Sequence, residues 1–351
     1  MSKEKKTLVI LSPGFPKDEA DSTCMPAEQS FLLAVKENYP SSDIIVLSFQ
    51  YPYHTKEYDW FGIRVIPFGG RNKGGISRLL LRRKIYRVLK KIHQEQNIGG
   101  MLSFWCGECA WIGKQFSDRN KTRHFCWLLG QDAKKNNHYP GKLRFKGDEL
   151  IALSDFLQEE FERNHGVRPS RIVPPFIDTK AFPSFAGGKD IDILGTGSLI
   201  PLKQYDIFIS VVAAIKKNIP SLKVVLIGEG PERERLQKLV TGSGLRSNVV
   251  FTGQLPHAGV LQYMQRSKLF LHSSCYEGFG IVCAEALYAG AAVISFTKPL
   301  QRDIKNWYIA GDKEEMIQKA VQLLKEPKPD HSPVIIEETQ DAAARIMGLF
   351  L

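Results

Sequence analysis

The sequence has no apolar run approaching the roughly 18–20 residues that a membrane-spanning helix needs. It has no short-period repeat and no low-complexity tract. Its first apolar stretch covers only Leu8 to Leu11 and runs into charged and turn residues, which is not the pattern of a signal peptide. The chain therefore reads as cytoplasmic. Cysteine is sparse: Cys24, Cys106, Cys109, Cys126, Cys275 and Cys283 are the six in 351 residues, too few for a disulfide framework. Acid is short too. Lys plus Arg total 48 against 37 Asp plus Glu, a formal charge of +11. What remains is ordinary, with 43% apolar and 24% charged residues, so disorder, collagen and coiled coil are excluded. A length of 351 residues suits two domains of roughly 150 each.

Metal and dinucleotide patterns are incomplete. Cys106 and Cys109 have C-x-x-C spacing, followed by His124 and Cys126. A structural zinc site usually pairs two ligand turns, whereas His124–Leu129 reads as a buried strand whose neighbours face opposite ways. No metal site is assigned. Asp190-Ile191-Asp192 spells D-x-D at a strand entrance, where solvated acids are common. Gly195-x-Gly197 lacks the third glycine of a dinucleotide fingerprint.

Strand-like and helical patterns alternate through most of the chain. Short apolar runs occur at 7–12, 43–49, 63–68, 101–105, 124–129 and 150–154, and resume at 192–195, 223–228, 248–253, 268–272 and 292–296. Several are almost wholly apolar, as strands buried on both faces of a parallel sheet must be. Helical periodicity fills the gaps, as at 206–217, 232–240 and 279–288. This predicts an α/β chain of two Rossmann-like domains facing each other across a cleft. The break is rich in Pro and Gly, from Val173-Pro174-Pro175-Phe176 to Gly187-Gly188. The expected division is residues 1–176 for an N-terminal domain and 177–333 for a C-terminal one. An amphipathic helix over 334–351 is expected to cross back to the first.

The positive charge is concentrated. Nine basic residues and no acid lie between Arg71 and Lys91. Leu81, Ile85, Val88, Leu89 and Ile92 recur at helical spacing, which predicts a helix over 77–93 with an apolar stripe and a basic face. A solvated face usually mixes signs. A face of one sign suits an anionic membrane, at roughly 1 kcal/mol per basic residue near its surface. Arg78, Arg82, Arg83, Arg87, Lys90 and Lys91 are the expected contacts. Nucleic acid is not expected as a partner, since no aromatic platform or recognition signature accompanies the charge.

The stretch from Glu277 to Gly290, EGFGIVCAEALYAG, follows a buried strand and opens a helix. Gly278 and Gly280 permit close backbone approach by a ligand. The helix start near Phe279–Ile281 offers N–H groups and a positive dipole end. Glu285 lies about one and a half turns further on, so two carboxylates can reach different parts of one extended ligand. Carboxylates accept hydrogen bonds from sugar hydroxyls or a ribose diol.

Glu277 and Glu285, with seven residues between them, resemble the E-x7-E motif of retaining glycosyltransferases with the GT-B fold, specifically family 4 (glycosyl transferases group 1). Other segments fall in the same order: Gly197-Ser198-Leu199-Ile200-Pro201-Leu202-Lys203, Ile227-Gly228-Glu229-Gly230-Pro231, Val250-Phe251-Thr252-Gly253, and, near the break, Ile151–Ser154 and Pro175–Asp178. The likeness is dense over about 150–290 and thin before it. It implies a nucleotide-diphosphate sugar as donor and a glycan or lipid-linked acceptor, as in bacterial surface polysaccharide assembly, with no metal or other cofactor. Lys203 would pair with the diphosphate, Glu277 would hold donor-sugar hydroxyls, and Glu285 would take the ribose diol. Gly197, Ser198, Gly228, Glu229, Gly253, Gln254, Leu255, Gly278, Phe279, Gly280 and Ile281 would complete the donor site. Gly14 and Phe15 would face the acceptor.

Two positions depart from the family. Ser198 stands where an Arg is usual, and Leu129 where a His is usual. Gln131, Asp132 or His138 is left to supply a polar group near the reacting centre, and Asp132 is taken as catalytic with Glu277 and Lys203. The rival readings are a nucleotide-sugar epimerase and a non-catalytic sugar-nucleotide-binding subunit.

Overall fold

The computed structural model describes residues 7–350. Two compact units compose the chain. One is the stretch up to Pro174 together with the stretch from Thr339 onward; the other is Pro175–Glu338. The limits thus fall at 174/175 and 338/339, where the sequence reading put them at 176/177 and 333/334.

The first unit holds β1 (Thr7–Gly14), α1 (Pro26–Asn38), β2 (Asp43–Tyr51), β3 (Tyr58–Trp60), β4 (Ile63–Pro67), α2 (Gly75–Glu95), β5 (Ile98–Phe104), α3 (Glu108–Asn120), β6 (His124–Leu128), α4 (Tyr139–Leu143), β7 (Leu150–Ala152), α5 (Asp155–His165) and β8 (Arg171–Ile172). Its strands form one sheet in the order β3-β4-β2-β1-β5-β6-β7-β8. Only the β3–β4 pair is antiparallel. Helices cover both faces, which is why the central run Leu8–Leu11 is apolar and wholly buried. Val9, Leu11, Ile45 and Leu47 pack with Ile85 and Leu89 of α2 and with Ile112 and Phe116 of α3. Local signals set the helix starts. Pro26 opens α1, and the Ser154 hydroxyl accepts the Leu157 N–H at 3.0 Å to cap α5.

The second unit repeats the alternation with β9 (Ile191–Thr196), α6 (Tyr205–Lys216), β10 (Val224–Ile227), α7 (Arg233–Gly242), β11 (Val249–Gly253), α8 (His257–Gln265), β12 (Ser267–His272), α9 (Ile281–Tyr288), β13 (Ala292–Ser295), β14 (Trp307–Ile309) and α10 (Lys313–Lys325). Its sheet is parallel throughout, in the order β11-β10-β9-β12-β13-β14. Asp312 caps α10 by accepting the Glu315 N–H at 2.8 Å. The last helix, α11 (Thr339–Met347), packs on α1 in the first unit. It starts five residues after the predicted Val334, and Leu351 lies outside the described residues.

The basic helix forms as α2, two residues longer at each end than its apolar periodicity predicts. Ile85, Leu89 and Ile92 are buried. Its N-terminal end overhangs the body: every residue from Arg71 to Leu80 is exposed, with Ile76, Leu79 and Leu80 at 79, 49 and 57%. One expected surface cation turns inward. The Arg82 guanidinium donates to Glu108 of α3 at 2.7 Å and to the Tyr139 hydroxyl at 2.8 Å, so it braces helices instead of facing a membrane. Lys91 pairs with Glu95 along the helix at 3.7 Å.

Candidate functional site

In an open parallel sheet, ligands bind beyond the carboxyl ends of the strands where the strand order reverses. In the second unit that point lies between β9 and β12. The loop after β9 carries Lys203, and the loop after β12 carries Glu277.

Lys203 ends a single 3-10 turn, Pro201–Lys203, and its Nζ donates to Glu277 Oε1. Two hydroxyls from beyond β12 pin the turn. Ser273 Oγ donates to the Lys203 carbonyl at 2.8 Å, and Ser274 Oγ to the Leu202 carbonyl at 3.2 Å. His272, the last residue of β12, is buried and sets Nε2 3.2 Å from the same Glu277 oxygen. Burial alone would raise the Glu277 carboxyl. The His272 ring and the Lys203 ammonium outweigh it and hold the pKa at about 2. Glu277 is thus a carboxylate at any ordinary pH. Both contacts fall on Oε1.

Backbone closes the site from below. Gly228 has φ 139°, and a Cβ there would stand 2.0 Å from the Gly197 carbonyl oxygen. The loops after β9 and β10 therefore touch through bare main chain, and the Gly228 N–H continues to the Gly253 carbonyl at 2.9 Å. Gly280 starts α9 at φ 88°, a left-handed conformation that suits glycine. The positive end of the α9 dipole meets the loop at Ile281. The Phe279 ring is buried edge-on against Trp307 at 5.7 Å, so Phe279 can offer a ligand only its main chain.

Glu285 sits on α9, and His257, the first residue of α8, places Nε2 2.8 Å from its Oε1. That hydrogen bond raises the His257 pKa against the opposing effect of burial, with Glu285 and Asp178 adding charge. Glu229 pairs with Arg233, a cation at the ends of β10 and β11. Ser198 is exposed and carries no charge. Gln254 is exposed, and Leu255 is half-buried in the loop between β11 and α8.

The other candidates lie in the first unit. Asp132 is buried and accepts backbone N–H groups from Cys106 and Gly130, each at 2.8 Å, and from Leu129 at 3.4 Å. Burial still raises its pKa overall. Its carboxylate knits its own loop to the start of α3. Gly14 ends β1, and Phe15 is fully buried against Trp60 at 5.0 Å, so its side chain packs and does not face an acceptor. Tyr51 and Tyr53 meet edge-on at 5.1 Å, and the Tyr51 hydroxyl reaches Asp21 at 3.1 Å. The remaining metal-like patterns are engaged elsewhere: Asp190 with Arg266 at 2.6 Å, Asp192 with Lys268 at 2.8 Å, and His124 Nε2 with the Ser103 hydroxyl at 3.0 Å. Among the described residues, no three of His, Cys, Asp and Glu converge as metal ligands.

Sequence reasoning missed His272. The one available signal was a histidine closing a buried apolar strand just before Glu277.

Residues 176–336 match the family model for glycosyl transferases group 1. A phosphatidylinositol N-acetylglucosaminyltransferase component of Arabidopsis thaliana is 25% identical over 196 residues, which is 54% of this chain and 41% of that protein. The chain spans less than half the length of that and several other curated relatives. Sucrose-phosphate synthase from Thermosynechococcus elongatus superposes with a TM-score of 0.74 at 17% identity, covering 99% of this chain and 95% of that one. Anabaena HepE, solved with UDP and glucose, gives 0.67 at 17%, covering 98% and 95%. Residues 176–336 thus match the glycosyl transferases group 1 family, within a chain of the two-sheet GT-B fold.

Proposed function

We propose that the chain is a retaining, family 4-type glycosyltransferase that moves a sugar from a nucleotide-diphosphate sugar to a glycan or lipid-linked acceptor in bacterial surface polysaccharide assembly. The observation that carries this reading is Lys203 and Glu277 in contact across the strand-order reversal of the second sheet, with Glu285 further along α9. Arrival of a diphosphate gives Lys203 a stronger partner and frees Glu277 to accept the sugar hydroxyls. Lys203 and the α9 dipole together offset the charge that grows on the leaving diphosphate, so the reaction needs no metal. Glu285 accepts the ribose diol.

HepE was solved with UDP and glucose, which supports a nucleotide-sugar donor. The Arabidopsis relative is named for a phosphatidylinositol acceptor, which supports a lipid-linked one. The overhanging start of α2, with Arg78 and Arg83 exposed beside Ile76, Leu79 and Leu80, supports docking on an anionic membrane surface at the cytoplasmic face.

Calorimetry with UDP-, GDP- and ADP-sugars, with and without a chelator, tests the reading. One of them is expected to bind equally well in both conditions and to yield a product of unchanged anomeric configuration by NMR. Binding by none overturns the donor assignment, an inverted anomer overturns retention, and loss of turnover with chelator overturns the metal-free mechanism.

A further inference from the structure

Resting on the reading of Glu285 as the ribose acceptor, we infer that His257 is a positioning residue: it holds the Glu285 carboxylate in place and so gives the site its preference for ribonucleotides. The pair bridges two packed helices, from the first residue of α8 to the second turn of α9. Nε2 and Oε1 are 2.8 Å apart, and the two side chains are 25 and 13% exposed. A free glutamate samples many rotamers, and ordering it on ligand arrival costs affinity. Here Oε1 is already fixed by a neighbour 28 residues away, and the remaining acceptor capacity is fixed with it.

The charges around His257 reinforce the pairing. Glu285 and Asp178 both favour its protonated form. The packed strands β9 and β12 bring Asp192 and Lys268, which pair with each other, and His272, which lies against Glu277. On α9, Tyr288 stacks edge-on with Phe182 and Cys283 is buried. Glu285 is the hydrogen-bond partner of the ring.

The alternative is that His257 merely staples α8 to α9. A staple would affect all ligands alike, whereas a positioning residue acts only on those that carry the diol. The experiment measures binding of UDP, 2′-deoxy-UDP, GDP and 2′-deoxy-GDP to the full chain by calorimetry. The wild-type protein is expected to prefer the ribonucleotide of one pair by about tenfold, the worth of one charge-assisted hydrogen bond. His257→Ala is expected to lose most of that preference while binding the deoxynucleotide within about twofold of wild type. In His257→Gln, whose amide can donate to the same oxygen, the preference is expected to return. If His257→Ala fails to fold, His257→Leu fills the space without a donor and replaces it. Equal weakening of both members of the pair, or an unchanged preference, overturns the inference and leaves the donor reading intact. A wild-type protein that binds both members equally removes the ribose role of Glu285 and the inference with it. If none of the four binds, ADP and 2′-deoxy-ADP are measured in the same way, and binding of none of the six overturns the donor reading itself.

Discussion

The two units share one architecture and carry different charge. The first has 29 basic residues against 20 acidic, a net +9, while the second has 19 against 17, a net +2. The contrast is sharper inside. In the first unit, buried groups are driven toward their uncharged forms: burial pushes His124 down to about 3 and Glu28 up to about 7. In the second unit, Glu277 is nearly as enclosed, yet Lys203 and His272 keep it ionised at about 2. A sheet of buried apolar strands cannot create that difference. In the second unit the loops after β9 and β12 create it, by bringing Lys203 to the Glu277 carboxylate. The first unit carries its charge on the outside, where it can meet a surface. The second sets one enclosed ion pair, Lys203 with Glu277, at the strand ends, where it can meet a ligand.

The largest expected effect comes from removing the charge at the strand ends. Glu277→Ala is expected to lower sugar transfer by about three orders of magnitude, at the upper end of what loss of one preorganised polar group costs. Lys203 is 20% exposed and can turn to water, so the variant should still fold. Activity within about tenfold of wild type, in a variant with an unchanged melting curve, would remove Glu277 from the site. The pH profile sharpens the test. Glu277 stays ionised in the native state down to about pH 2, so it contributes no acid limb to activity near pH 4–5. A limb there that disappears in Glu277→Gln would contradict the ionisation described.

The two units should also answer acid differently. His124 binds a proton in the unfolded chain near its reference value of 6.5 but in the native state only near 3. Its contribution is complete above about pH 6.5 and falls as pH drops from there toward 3. The loss amounts to about 3 kcal/mol by pH 4. Glu277 runs at lower pH: its contribution is complete above its reference value of 4.5 and is lost as pH falls toward 2. Glu28, held near 7, has the opposite sign: its contribution grows as pH falls from about 7 to 4.5, which offsets most of the His124 loss in that window and leaves the first unit to weaken mainly below pH 4.5. NMR should find the His124 ring neutral in the folded protein at pH 5. A ring that titrates near 6.5 would break the comparison.

Much of this was legible in the sequence, and the exceptions share one cause. Buried strands announce themselves as apolar runs, so the central strands of both sheets follow from the pattern. β3, β8 and β14 do not, because two or three residues at a sheet edge offer no period, and β3 and β8 also hold polar members such as Asp59 and Arg171. Lys203, Glu277 and Glu285 were legible as an ordered motif. Their neighbours were not. His257 meets Glu285 from 28 positions away, and Arg82 meets Glu108 from 26. Such pairings depend on how two helices pack, which spacing within one helix cannot encode. The overhang of α2 was hidden for the same reason: periodicity gives the apolar stripe but not where the sheet beneath it ends.

The exposed basic face of α2 yields the smallest effect, and it separates surface charge from structural charge on a single helix. Arg83 and Arg87 are exposed, whereas Arg82 is 25% exposed and held by Glu108 and Tyr139. If the outward face of the first unit meets an anionic bilayer, replacing both Arg83 and Arg87 with Ser should cost about 2 kcal/mol of partitioning, roughly thirtyfold, on phosphatidylglycerol vesicles. The loss should shrink as salt is raised, because exposed charges are screened. Arg82→Ser should leave partitioning almost unchanged and instead lower stability by about 1–3 kcal/mol, because Glu108 loses a partly buried charged partner. Sedimentation with vesicles and thermal melts of the same three proteins decide the matter. Equal partitioning losses in both variants would mean that total charge governs binding, and no vesicle binding by the wild type would remove the membrane surface from the proposed function.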